Sequence, residues 1–254
     1  MPDKALYVSF TGVTLFVFLN ADVFAENNKP NVVIIYTDDM GVGDVSFLND
    51  GWVQTPNIDK LAAQGTVITN YYTAAAVSSP SRAGLTTGIF PLNLGINTFL
   101  HTVEHNINCE QEDFLDPKFP SMARVFQSQG YATAHIGKWH MGGGRDVDNA
   151  PQITEYGFDE YLTTYEGPDP DPKITATDWI WSPQDEVKRW ERTSYFVDKA
   201  LEFMKEHRDD PFFLNLWPDD MHTHMCMMKF RRMTIRHGER RPIIGKFLRS
   251  MISR

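Results

Sequence analysis

Apolar and polar positions fall in blocks that read alternately as strands and helices. Asn31 to Tyr36 is a continuous β-branched apolar run, the pattern of a strand buried on both faces of a parallel sheet. It runs into Thr37-Asp38-Asp39-Met40-Gly41. Thr55-Pro56-Asn57 opens a helical pattern through Ile58, Leu61 and Ala62, which Gly65 closes. Val67 to Tyr72 is a second apolar run, and Ser81 to Thr87 fits a helix between Pro80 and Gly88. Pro120 to Gly130 is amphipathic, with Met122, Val125 and Phe126 on one face and Gly130 as C-cap. Tyr131 to Ile136 reads as a strand leading into Gly137-Lys138-Trp139-His140. The stripe Phe196, Ala200, Phe203, Met204 predicts a long helix over Trp190 to His207. Phe212 to Trp217 predicts a buried strand that ends in Pro218-Asp219-Asp220-Met221-His222, and Gly167 to Lys173 predicts a surface loop. The alternation makes the chain α/β with a mainly parallel sheet. Polar residues cluster just past the C-terminal ends of three strands, where open α/β sheets place their ligands.

Composition sharpens this picture at two places. Over 254 residues, 42% hydrophobic and 22% charged, the chain can bury a sizeable core, which excludes disorder, collagen and a disulfide scaffold. A net charge of −9 argues against a nucleic-acid partner. The charge is uneven, however. Residues 225–254 hold nine Lys/Arg against Glu239, giving +8, while residues 1–224 hold 15 basic and 32 acidic residues, giving −17. At the other end, Lys4 precedes an apolar stretch from Ala5 to Leu19, closed by Asn20 and Asp22 and followed by Val23-Phe24-Ala25. That is the layout of a secretory signal peptide cut after Ala25; a retained amphipathic or membrane anchor is the alternative. The run is shorter than the roughly 20 residues of a membrane span. The mature protein is therefore expected to be exported, periplasmic or extracellular, with no stable membrane span. Only Cys109 and Cys226 are present, without any Cys/His zinc spacing, and Cys226 lies in the basic stretch, so no functional disulfide is expected.

Two clusters carry candidate chemistry. Adjacent carboxylates such as Asp38-Asp39 repel, so they either lie in a solvated turn or hold a hard cation such as Ca²⁺ or Mg²⁺. In Ser78-Ser79-Pro80-Ser81-Arg82-Ala83-Gly84-Leu85-Thr86-Thr87-Gly88 a hydroxyl residue stands four before an arginine at a helix start. A helix N-terminus and a fixed cation suit an anionic ester and an oxygen nucleophile. The same residues also serve as an ordinary N-cap with a surface arginine.

Four blocks in order, Asn31–Gly41, Thr55–Gly65, Ser78–Gly88 and Gly137–Gly142, with a weaker fifth at Pro211–His222, resemble the sulfatases of the alkaline-phosphatase-like superfamily. The resemblance implies a three-layer sandwich around a mainly parallel central sheet, with residues 26–224 as the N-terminal part of the catalytic domain. It implies a hydrolase of sulfate esters, on a sulfated small molecule or polysaccharide. Ser78 matches the residue that a maturation enzyme oxidises to formylglycine, here of the serine type. One hydroxyl of the hydrated aldehyde attacks sulfur and the other then expels sulfate. Asp38 and Asp39 match ligands of a Ca²⁺ or Mg²⁺ that also activates the group at Ser78. Arg82 matches the residue holding the formylglycine, Lys138 a sulfate-binding cation, His140 the base on the diol, and His222 a general acid at the leaving oxygen. Ser79 and Ser81 are not the matching position. Taken without the resemblance, Lys138 reads as a surface cation, His140 as a core histidine and His222 as a loop residue. The aromatic stretch Trp179 to Trp190 is a candidate sugar contact.

The pattern breaks after His222-Thr223-His224. The chain becomes Met-rich and basic where the family continues with prolines, as a frameshift would produce; a natural polyanion-binding tail is the alternative. A chain truncated there lacks further metal ligands and a sulfate-contacting lysine that the resemblance implies, so poor activity of this polypeptide alone is expected. Two other functions stay open: a phosphatase or phosphonate hydrolase of the same superfamily using unmodified Ser78, and a non-catalytic or polyanion-binding fragment.

Overall fold

The computed structural model describes residues 29–49, 53–164, 166–174, 185–220 and 222. The expected signal segment, the basic stretch with Cys226, and Trp179 lie outside them. Contacts group the described residues from Asn31 onward as one unit.

The frame is a four-stranded, wholly parallel sheet. Its strands are β1 (Val32–Ile35), β2 (Ala132–Gly137), β3 (Glu160–Thr163) and β4 (Phe212–Trp217), in the spatial order β1-β4-β2-β3. β4 is buried along its whole length and pairs with β2 from Ala132↔Phe212 to Gly137↔Trp217. One face of β2 and β4, carrying Ala134, Ile136, Leu214 and Leu216, packs on helix α5 (Arg192–Glu206) through Phe196, Ala200 and Phe203. The other face, with Phe213 and Trp217, packs on Ala83 of helix α2 (Ser78–Thr87), Ala123 of helix α4 (Met122–Ser128) and Trp139. Helices on both faces of a parallel sheet make the three layers expected. Helix α1 (Pro56–Gln64) buries none of its residues, and helix α3 (Val103–Asn108) buries only Asn106. Among the described residues no helix is long and apolar enough to cross a membrane.

Several expectations are corrected. β1 is not buried on both faces: Val32 and Ile34 pack into the core, while Val33 and Ile35 are exposed, outside the cluster that packs on α5. Val67 to Tyr72 is irregular and exposed. Val125 points outward, and α4 buries Ala123 instead. Helix α2 starts at Ser78, three residues before the expected Ser81. Pro80 is tolerated there because the first N–H groups of a helix have no partner in it. Gly167 and Pro168 of the expected surface loop are buried. Cys109 is a free thiol. His135, on β2, is a core histidine edge-on to Trp139, Phe158 and Trp217, and burial holds it down at about 3.

Candidate active site

The C-terminal ends of β1, β2 and β4 deliver the motif residues to one place. β1 leads into Asp38 and Asp39, β2 into Lys138 and His140, and β4 into the turn that reaches His222. That last turn is fixed by a buried ion network. Asp219 meets Arg189 and Arg192, and Asp220 meets Arg189 and the Thr193 hydroxyl. From the sheet's other face α2 brings Ser78 at its first position. Together these elements wall a cavity of about 610 Å³ lined by Asp38, Asp39, Ser78, Arg82, His140 and His222, among others.

Ser78 and Arg82 are one helical turn apart and share a face. The Arg82 Nε–H donates to Ser78 Oγ at 2.9 Å. Its guanidinium is buried over the Tyr36 and Trp217 rings, 3.7 Å from Asp38 Oδ2. The neighbouring serines are occupied elsewhere. Ser79 Oγ accepts from the Leu100 N–H at 2.9 Å, and Ser81 Oγ bonds the Tyr36 hydroxyl.

Asp38, Asp39 and His222 bring ligand atoms within 4.8 Å of one another. His222 Nδ1 lies 2.9 Å from Asp39 Oδ2 and 3.8 Å from Asp38 Oδ2. Burial pushes the Asp38 carboxyl up, but Lys138, Arg82 and His222 outweigh it and hold it below its ordinary value. Two carboxylates converging in a cavity that Ser78 also lines fit a hard divalent cation, and fill part of the six or more oxygen positions it takes.

Lys138 directly follows β2. It is buried and does not line the cavity. Its ammonium donates to Asp38 Oδ2 at 2.9 Å and lies 3.3 Å from Glu166 Oε2. It stands behind the wall, joining two carboxylates that line it.

His140 is buried. Its Nε2 lies 3.0 Å from the Leu100 carbonyl; a carbonyl only accepts, so Nε2 carries the proton. Nδ1 therefore holds a lone pair, and it has no hydrogen-bond partner among the described residues. Burial lowers the ring to about 4, with Lys138 and Arg82 adding to the fall against Glu166. His140 is thus neutral at pH 7.

Sequence reasoning missed Glu166 and Arg145, which both line the cavity. Glu166 sits against Lys138, His140 and Arg145. Burial raises its carboxyl, but His140, Lys138 and Arg145 outweigh this and hold it at about 2. Arg145 follows three glycines with φ of 116°, 86° and 75°, and itself has φ 56°. At Gly143 a Cβ would stand 2.5 Å from the Pro168 nitrogen, so only glycine lets this loop pass the one that carries Glu166. That glycine run was the available signal. Asp39, His140 and Arg145 are three of the five non-glycine residues with positive φ among those described, and all three line the cavity, as strained backbone at a functional site does. Trp190 is exposed and does not line it.

Residues 30–235 match the Sulfatase family model. An N-acetylgalactosamine-6-O-sulfatase of Bacteroides thetaiotaomicron is 29% identical over 83% of this chain and 52% of its own length. The human N-acetylgalactosamine-6-sulfatase is 30% identical over 76% of this chain and 40% of its own length. The chain thus spans about half the length of the curated relatives it matches, or less. A solved structure from the glycosaminoglycan-metabolism locus of B. thetaiotaomicron superposes with a TM-score of 0.65 at 24% identity. It covers 89% of this chain and 58% of its own, and the likeness is one of fold.

Proposed function

Because the chain belongs to the sulfatase family, we propose that it hydrolyses sulfate esters of a sulfated carbohydrate, using a formylglycine made from Ser78 and a divalent cation. The carrying observation is convergence. Ser78, Arg82, His140, Asp38, Asp39 and His222 come from separate stretches of sequence and line one cavity at the sheet's C-terminal edge. The relatives named for N-acetylgalactosamine 6-sulfate support a sulfated sugar as substrate. An exported protein, matured by a formylglycine-generating enzyme, completes the proposal.

The residues divide the work as follows. The N-terminus of α2, with Arg82 and Arg145, attracts the anionic ester. Arg82 also orients the oxygen at position 78 through its Nε–H. His140, neutral and with its lone pair on Nδ1, accepts the proton released there. His222 gives a proton to the leaving alcohol. Lys138 acts through Asp38 and Glu166, whose charges it balances. Formylglycine would supply a better oxygen nucleophile than a serine hydroxyl. A Ca²⁺ or Mg²⁺ held by Asp38, Asp39 and position 78 would polarise a sulfate oxygen.

Sulfate release from a 6-sulfated N-acetylgalactosamine oligosaccharide tests this. The protein is produced with a serine-type maturation enzyme and assayed with Ca²⁺, with chelator, and as Ser78→Ala. These residues fill only part of a cation's shell, so turnover is read as the ratio to Ser78→Ala. Release above background that vanishes with chelator and in Ser78→Ala is expected. Equal release by Ser78→Ala, or a preference for phosphate esters by unconverted Ser78, would overturn the proposal.

A further inference from the structure

We propose that Glu166 is the positioning residue of His140, holding the ring in place and supplying the negative charge that lets it take up a proton. The inference rests on His140 being the base of the proposed reaction. Glu166 grips His140 from two sides. Its backbone carbonyl accepts the His140 N–H at 3.1 Å, which pins a residue whose φ is 50°. Its Oε1 lies 3.6 Å from His140 Nε2, on the same side as the Leu100 carbonyl. The Leu100 carbonyl thereby fixes Nε2–H, the Glu166 carboxylate faces the same edge of the ring as a charge, and Nδ1 keeps its lone pair without a hydrogen-bond partner among the described residues.

The carboxylate is needed because its surroundings are otherwise hostile to a protonated ring. Burial, Lys138 and Arg82 all disfavour positive charge on His140, and the Glu166 carboxylate opposes them together with the Leu100 carbonyl. When Nδ1 gains a proton, Nε2 keeps its own, so the ring becomes a cation in a buried position. Glu166 is already ionised, held so by Lys138 at 3.3 Å and Arg145 at 3.9 Å when His140 is neutral. Its charge needs no rearrangement at that moment. The loop that carries it is braced, with Gly167 against the Trp139 side chain and Pro168 against Gly143.

The test uses Glu166→Gln and Glu166→Asp in the full chain, with thermal unfolding as the check on folding. NMR of the His140 ring, assigned with His140→Asn, reads the pH of half-protonation without any turnover. Glu166→Gln is expected to lower that pH by about one unit, since an opposite charge at this range shifts a titration by one to three. Glu166→Asp, which keeps the charge, is expected to lower it less, and it serves alone if the glutamine variant does not fold. In protein that releases sulfate, Glu166→Gln is expected to reduce kcat about tenfold with little change in KM. An unchanged half-protonation pH in a folded Glu166→Gln protein, or in Glu166→Asp where only that variant folds, would overturn the assignment. A shifted midpoint in protein without any sulfate release would leave Glu166 in this role and count against the sulfatase reading alone.

Discussion

Exchanging Lys138 for alanine is expected to cost about 3–5 kcal/mol of stability at pH 7, the usual penalty for removing one partner of a buried ion pair. The ammonium is buried and bridges Asp38 Oδ2 at 2.9 Å and Glu166 Oε2 at 3.3 Å. Without it both carboxylates lose their nearest cation, and the arginines stand farther off, Arg82 at 3.7 Å from Asp38 and Arg145 at 3.9 Å from Glu166. The pH dependence follows in sign. Both carboxyls are held below their ordinary values in the native protein, so they add stability above their unfolded pKa and lose it as pH falls through the folded one. Lys138 supplies part of that depression. The gap between wild type and Lys138→Ala should therefore narrow as pH falls below the ordinary carboxyl values, about 4, toward the depressed folded ones. Urea unfolding at several pH values measures it. A loss under about 1 kcal/mol at pH 7, or a gap that widens in acid, would contradict the placement of Lys138.

Gly137→Ala is expected to be nearly as damaging, at about 3 kcal/mol or more. Gly137 ends β2 with φ 119°, and a Cβ there would stand 2.1 Å from the Trp217 carbonyl oxygen. That oxygen also accepts the Lys138 N–H at 2.8 Å. A methyl group must push β2 away from β4 where the two strands release Lys138 and the turn toward His222. Thermal unfolding should show the loss, and a variant within about 1 kcal/mol of wild type would show that the strand end yields easily. The glycine of Gly137-Lys138-Trp139-His140 thus has a physical reason independent of any family.

The elements legible in the sequence were those whose burial is decided locally. β4 and α5 carry an unbroken apolar run and a clear stripe, and both lie where expected. β1 shows the limit of that logic. Val32 to Ile35 reads like a fully buried strand, yet nothing in the run tells that Val33 and Ile35 lie outside the cluster that packs on α5. β3, four residues beginning at Glu160, is too short and too polar to announce itself. The site divides in the same way. Asp38, Asp39, Ser78, Arg82, His140 and His222 belong to contiguous motifs and meet at the cavity. Lys138 was legible as a residue but not as a group behind the wall, because its partner Glu166 lies in a loop that carries no motif. Glu166 and Arg145 reach the site through a close loop crossing at Gly143 and Pro168, a contact that sequence spacing does not encode.

Conversion of Ser78 to formylglycine would show in the mass of that residue. The protein is co-produced with a serine-type formylglycine-generating enzyme, and the peptide spanning Ser78 to Arg82 is examined by mass spectrometry beside an established substrate of that enzyme. The expected peptide is lighter by two hydrogens, with the change at Ser78 and not at Ser79 or Ser81, and reacts with an aldehyde-specific hydrazide. An unaltered Ser78, in cells where the established substrate is fully converted, would contradict the conversion.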